Sequence, residues 1–151
     1  MPLVTPICLY VAFTDMREMR ITNQSVIVLA LVFVVVGPLL LSWDVYLWQL
    51  AHLPIFLVIG ILLNAAGTMG AGDAKFIAAA SPYIFLPDWR LLFALFAATL
   101  LAAFLAHRIA KHSPLRRVAP HWESWDQGKK FPMGLALGIT LIGYLALGVY
   151  S

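Results

Sequence analysis

Ser25-Val-Ile-Val-Leu-Ala-Leu-Val-Phe-Val-Val-Val-Gly-Pro-Leu-Leu-Leu-Ser-Trp43 contains no charged residue. A helix rises ~1.5 Å per residue, and about 20 apolar residues cross the ~30 Å hydrocarbon of a bilayer. This stretch has that length, although Gly37-Pro38 interrupts it. Five similar segments surround it. The first runs from about Leu3 to beyond Asp15, the third is about Tyr46–Ala66, and the fourth about Ala74–Leu86. The fifth is about Leu91–His107 and the sixth about Phe131–Tyr150. The expected fold is all-α: a polytopic membrane protein with about six transmembrane helices.

Composition supports this. Of 151 residues, 62% are hydrophobic and 11% charged, and the mean hydropathy is +0.90. Soluble domains carry roughly 25% charged residues, so a soluble globular protein is excluded. The length suits a single transmembrane domain over residues 1–151, with no separate soluble or methyltransferase domain. Cys8 is the only cysteine, so no internal disulfide and no cysteine metal site is expected. Met1-Pro2-Leu3 lacks a basic n-region, and no small-residue cleavage pattern follows. A removed signal peptide is therefore not expected.

The net charge of +3 does not imply nucleic acid, because the basic residues cluster between apolar runs. Arg17 and Arg20 lie in the first loop and Lys75 beside the third. Arg108, Lys111, Arg116, Arg117, Lys129 and Lys130 lie in the fifth. Only Arg90 falls in an even-numbered loop. The positive-inside rule then places the odd loops in the cytoplasm and both termini outside. With Met1 at the outer interface, Asp15 would lie about 21 Å into the membrane. Arg17 and Arg20 could snorkel to the surface.

Charge at membrane depth is expensive, so an intramembrane acid marks a functional site by default. Two carboxylates stand out: Asp15, and Asp73 within Gly70-Ala71-Gly72-Asp73-Ala74-Lys75. A pair suits acid–base hydrolysis, with one member ionised to deprotonate water and the other protonated to donate to the leaving group. Like charges at close range favour a single shared proton. Asp73 opens a helix beside Lys75, and both features favour its ionised form. Asp15 lies toward the C-terminal part of its own helix. That makes Asp73 the base and Asp15 the acid, although the protons belong to the pair. Singly, each feature has a plainer reading. Asp15 could be an interfacial carboxylate paired with Arg17 or Arg20, and Asp73 a turn residue capping a helix. Lys75 could be a topology determinant only, and Gly70 and Gly72 packing glycines.

The joint pattern resembles a known family. Asp15-Met16-Arg17-Glu18-Met19-Arg20-Ile21-Thr22-Asn23 is similar to the first active-site segment of type IV prepilin peptidases, in which an Asp precedes a basic stretch ending in Ile-Pro-Asn. Thr22 stands here where the family has Pro. Gly70-Ala71-Gly72-Asp73-Ala74-Lys75 resembles the GxGDxK motif of GxGD aspartyl proteases. Phe131-Pro132-Met133-Gly134-Leu135-Ala136 is similar to a Pro-x-Gly-x-Ala segment opening the last helix. The motifs occur in family order. The resemblance implies catalytic Asp15 and Asp73, supported by Gly70, Gly72, Lys75, Asn23, Pro132 and Gly134, with no metal and no cofactor. Larger family members add a cytoplasmic domain linked to N-methylation, and nothing here matches it. The chain looks like the compact form that accompanies tight-adherence (Flp-type) pilus systems.

The remaining polar residues say less. His52, His107, His112 and His121 lack ligand-like spacing. Asn64 reads as interhelical glue, and Gly134 and Gly138 as a packing face. Asp44 and Asp88 read as solvated loop residues on the outer side. Leu115–Lys130, with Trp122 and Trp125, reads as an interfacial segment anchored by tryptophan, or as a surface guiding substrate. The expected function is an intramembrane aspartyl endopeptidase of the bacterial inner membrane. It would cleave prepilin or pseudopilin leaders at the cytoplasmic face, with membrane lipid and no nucleic acid as partner, and a homo-oligomer is compatible with the sequence. A small proton-coupled transporter and a non-catalytic scaffold subunit of a secretion or pilus apparatus are the alternatives. A transporter should show an inverted repeat, and the chain has none. A scaffold has no need of two acids on one side.

Overall fold

The computed structural model describes residues 2–128 and 130–148. The expectations attached to Met1, Lys129, Tyr150 and Ser151 lie outside the described residues. Among the described residues six α-helices follow one another: α1 (Val4–Glu18), α2 (Asn23–Leu40), α3 (Trp43–Ala65), α4 (Ala71–Ala80), α5 (Trp89–Lys111) and α6 (Met133–Ala146). No strand occurs among the described residues. Three stretches are long and apolar enough to cross a bilayer, at Asn23–Leu40, Trp43–Ala65 and Leu86–Lys111, and Met133–Ala146 is a shorter apolar helix. Apolar side chains cover the outside: Val35, Leu62, Phe93 and Leu101 are each more than half exposed. Such a surface suits lipid rather than water. The protein is a polytopic membrane protein.

The two helices that carry the acids are short. α1 has 15 residues and α4 has 10, so they extend only about 22 Å and 15 Å at ~1.5 Å per residue. Each end has a local cause. α1 closes on Met19, whose left-handed backbone (φ 50°) turns its N–H onto the carbonyl of Asp15. α4 starts at Gly70 and passes into the 3-10 turn Ser81–Tyr83 at Pro82, which has no N–H to donate to the carbonyl one turn back. Thr22 is the N-cap of α2, and its hydroxyl accepts from the Ser25 N–H at 3.4 Å. A capping residue therefore makes the turn where the family has Pro.

Small residues and aromatic rings set the packing. α6 lies against α1, and α4 against α3. A Cβ on Gly60 would come within 2.9 Å of the Ala74 Cβ, and one on Gly138 within 2.8 Å of the Cys8 carbonyl. Both seams thus depend on glycine to let helix backbones approach. Phe33 stacks on Tyr46 at 5.7 Å and meets Tyr83 edge-on at 5.2 Å. The Tyr83 hydroxyl donates to the Leu29 carbonyl, tying the end of α4 to α2. α5 packs chiefly on α6 and is otherwise peripheral.

Asp88 is not a free loop carboxylate. It accepts the Tyr144 hydroxyl at 2.6 Å, and that hydroxyl in turn accepts the Phe85 N–H. This fastens the far end of α6 to the turn before α5. Asn64 does not bridge helices either. Its amide donates to the Met69 carbonyl and shapes the turn before Gly70.

Candidate functional site

The second half of α1 turns its buried face toward the start of α6. Asp15 is 5% exposed, so its carboxylate needs a partner inside the protein. The partner is backbone: the Gly134 N–H donates to Asp15 Oδ2 at 2.6 Å. Gly134 lies in the first turn of α6, where N–H groups have no intrahelical acceptor and the helix dipole is positive. A Cβ on Gly134 would stand 2.9 Å from Asp15 Oδ2 and 3.0 Å from its Cβ. Only glycine leaves room for the acid there. Pro132, the N-cap of α6, is fully buried beside it.

Asp73 occupies the first turn of α4, after the N-cap Gly70. Its carboxylate folds back over that end, since a Cβ on Gly70 would lie 2.9 Å from Oδ2. Gly72 sits under Ile21, with a Cβ position 3.2 Å from the Ile21 Cβ. This close approach seats the start of α4 on the loop that follows α1. Asp73 thereby comes within electrostatic range of Asp15. Lys75 reaches the other way: its Nζ donates to Asn23 Oδ1 at 3.1 Å, joining α4 to the start of α2.

The structure thus gathers Asp15, Asp73, Gly70, Gly72, Lys75, Asn23, Pro132 and Gly134 at one end of the bundle, from four different helices. Three of the sequence expectations change. Asp15 pairs with neither Arg17 nor Arg20; Arg17 lies 3.6 Å from Glu18, and Asp15 faces α6. Lys75 bonds Asn23 and forms no ion pair with either acid. The helix end nearest to Asp15 is not that of its own helix. The start of α6 supplies Asp15 with the same kind of positive end that α4 supplies to Asp73, because the two helices meet the acids in space rather than in sequence.

The loop after α5 is held by ring contacts. Trp125 is 3% exposed and stacks on His107 at 4.9 Å, while its indole N–H donates to the Ala119 carbonyl. Trp122 stacks on Trp125 and meets Phe13 edge-on at 5.9 Å. These tryptophans bind the loop to α1 and α5; Trp125 is buried by those contacts and Trp122 is half-buried. The spacing of Phe13 two residues before Asp15 was the available signal, but a loop partner over a hundred residues away has no local signature.

Comparison with known proteins supplies the class of chemistry. The sequence model of the type IV leader peptidase family matches residues 3–107. The chain belongs to that family. No curated protein and no solved structure matches it. The type IV leader peptidases are proteases with prepilin substrates, which favours a hydrolase over a transporter or a scaffold subunit. The matched residues of this peptidase include Asp15, Asn23, Gly70, Gly72, Asp73 and Lys75 but end before α6. Pro132 and Gly134 enter the site through the Gly134 to Asp15 hydrogen bond.

Proposed function

We propose that this peptidase is of the aspartic type, with Asp15 and Asp73 as its catalytic pair, and that it removes the leader from Flp-like type IV prepilins at the cytoplasmic face of the inner membrane. The observation that carries the reading is the gathering of the two acids at one end of the bundle, Asp15 buried and Asp73 half-buried, each at a helix N-terminus. The nine-to-one distribution of Lys and Arg between odd and even loops supports a cytoplasmic position for that end.

The reaction is hydrolysis of one peptide bond. The ionised member of the pair takes a proton from water as its oxygen attacks the scissile carbonyl carbon. The protonated member donates to the amine nitrogen as the C–N bond breaks. Two close carboxylates share one proton and meet both needs. Gly134 holds Asp15 Oδ2, which leaves Oδ1 for water or substrate. The substrate's apolar helix would lie in the bilayer beside the enzyme, with its leader junction extended at the acids. Catalysis at a site of this kind rests on placement of these groups before the substrate arrives.

The test is cleavage of a purified Flp-type prepilin by the purified protein in vesicles, with Asp15→Asn and Asp73→Asn as controls. Leader release by the wild type, lost in both variants, is expected. Release that persists in either correctly inserted variant would overturn the pair.

A further inference from the structure

The Gly134 to Asp15 bond joins two segments that are remote along the chain. α6 begins only after the long connection from His112 to Pro132, and its N-cap Pro132 makes no side-chain capping bond. Connections of that kind are mobile unless packing fixes them. Here a continuous run of aromatic rings does so. Phe13 meets Trp122 edge-on at 5.9 Å, Trp122 stacks on Trp125 at 5.7 Å, and Trp125 stacks on His107 at 4.9 Å. His107 then meets Phe131 edge-on at 5.7 Å. The run starts two residues before Asp15 and ends three residues before Gly134. Each partner of the hydrogen bond thus lies close along the chain to one end of it.

We propose that Trp125, His107 and Phe131 are positioning residues for Asp15. Joined to α1 through Trp122 and Phe13, they hold the start of α6 so that the Gly134 N–H stays on the acid. The middle of the run is buried, with Trp125 3% and His107 6% exposed. Between Phe104, His107 and Phe131 no space remains for a water molecule. A seam packed that closely passes displacement on instead of absorbing it. The loop is also tied to itself. The Trp125 indole N–H donates to the Ala119 carbonyl at 2.8 Å, and Arg116 pairs with Asp126 at 2.7 Å. His107 Nε2 has no hydrogen-bond partner among the described residues, so that nitrogen adds no bond to the seam and the ring acts by contact. Trp122, Trp125 and Phe131 lie beyond residues 3–107, so the family match does not assign them a role. Their effect on cleavage rests on the reading of Asp15 as a catalytic acid, and their effect on the Gly134 bond does not.

The test follows hydrogen exchange at residues 131–137 of the full chain in vesicles, beside prepilin cleavage. Trp125→Ala removes both stacks at the middle of the run. Exchange at the start of α6 should quicken by about tenfold, while residues 139–146 keep their protection. kcat should fall by about tenfold with KM little changed, because the acid is displaced and no substrate contact is removed. Trp125→Phe and His107→Phe keep a ring in place and should hold both exchange and kcat within about threefold of the wild type. Trp89→Ala, at the opposite end of α5, should change neither. Wild-type exchange at residues 131–137 in Trp125→Ala overturns the proposal. So does an even loss of protection along α6, which is the mark of a merely stabilising contact, or a Phe variant as damaged as Trp125→Ala. Wild-type kcat despite quickened exchange overturns the role in positioning. If Trp125→Ala fails to insert, Trp122→Ala should quicken exchange at the same residues severalfold, and unchanged exchange there refutes the proposal. The expected exchange pattern in a chain that cleaves no prepilin supports the ring run and refutes the peptidase pair instead.

Discussion

Gly134→Ala tests the geometry of the site with one methyl group. The new Cβ would lie 2.9 Å from Asp15 Oδ2, 3.0 Å from its Cβ and 3.1 Å from its Cγ. Ordinary carbon contacts are about 3.5–4.0 Å, so the carboxylate or the helix seam must move by about half an ångström. The donor N–H remains, but its 2.6 Å bond to Oδ2 must lengthen or bend. A hydrogen bond to a charged group contributes about 1.5–3 kcal/mol, and overpacking costs about 1–3 kcal/mol of stability. Misplacement of a catalytic group by ~1 Å can cost 10²-fold. The expected result is a fall in kcat/KM of about 10- to 100-fold, carried mainly by kcat, with a modest drop in Tm. The assay is prepilin cleavage in vesicles beside thermal unfolding in detergent. Two alanine variants on the same helix calibrate it. A Cβ on Gly143 meets nothing within 4 Å, so Gly143→Ala should leave activity unchanged. A Cβ on Gly138 meets the Cys8 carbonyl at 2.8 Å, about two turns along α1 from the acid, so Gly138→Ala should lower stability more than it lowers kcat. Wild-type kcat/KM in Gly134→Ala would refute the claim that the start of α6 positions Asp15.

Asp15→Asn and Asp73→Asn should each nearly abolish cleavage. The double variant should be little worse than either single, because groups acting as a unit are not additive, and an additive double would separate the acids. The pH–rate profile of the wild type should be bell-shaped and report the pair, and a single sigmoid would remove the shared-proton mechanism. Asn23→Ala and Lys75→Ala should each have small effects on stability, since their 3.1 Å bond is exposed. A double-variant cycle should give a coupling of roughly 0.5 kcal/mol, and zero coupling would show that the bond does not join α2 to α4 in the membrane. A reporter fused after Ser113 should report a cytoplasmic position and one after Asp88 an outer one, and the reverse would invert the orientation.

Much of this protein is legible before any folding. A run such as residues 25–43 has no charge to solvate, so bilayer insertion follows from composition alone. The motifs around Asp15 and Asp73 are equally local, since a carboxylate between apolar segments stands out wherever the chain goes. The family match over residues 3–107 rests on the same local patterns. What local pattern misassigned was the partner of each polar group. Asp15 has arginines close by in sequence, yet burial against α6 gives it a backbone donor 119 residues away. Lys75 stands two residues from Asp73, yet the helix turns it toward Asn23. Trp122 and Trp125 look like membrane anchors, yet they close over Phe13 and His107. Asp88 sits in a short polar turn, yet Tyr144 reaches it from α6. Hydropathy is a sum over neighbours in the chain and decides which segments enter the membrane. Hydrogen bonds and ring contacts depend on neighbours in space, and in a helical bundle those are set by which small residues let two backbones meet. Gly134 shows the difference: by sequence it is one glycine in an apolar helix, and by its 2.9 Å clearance it is the reason Asp15 can sit where it does.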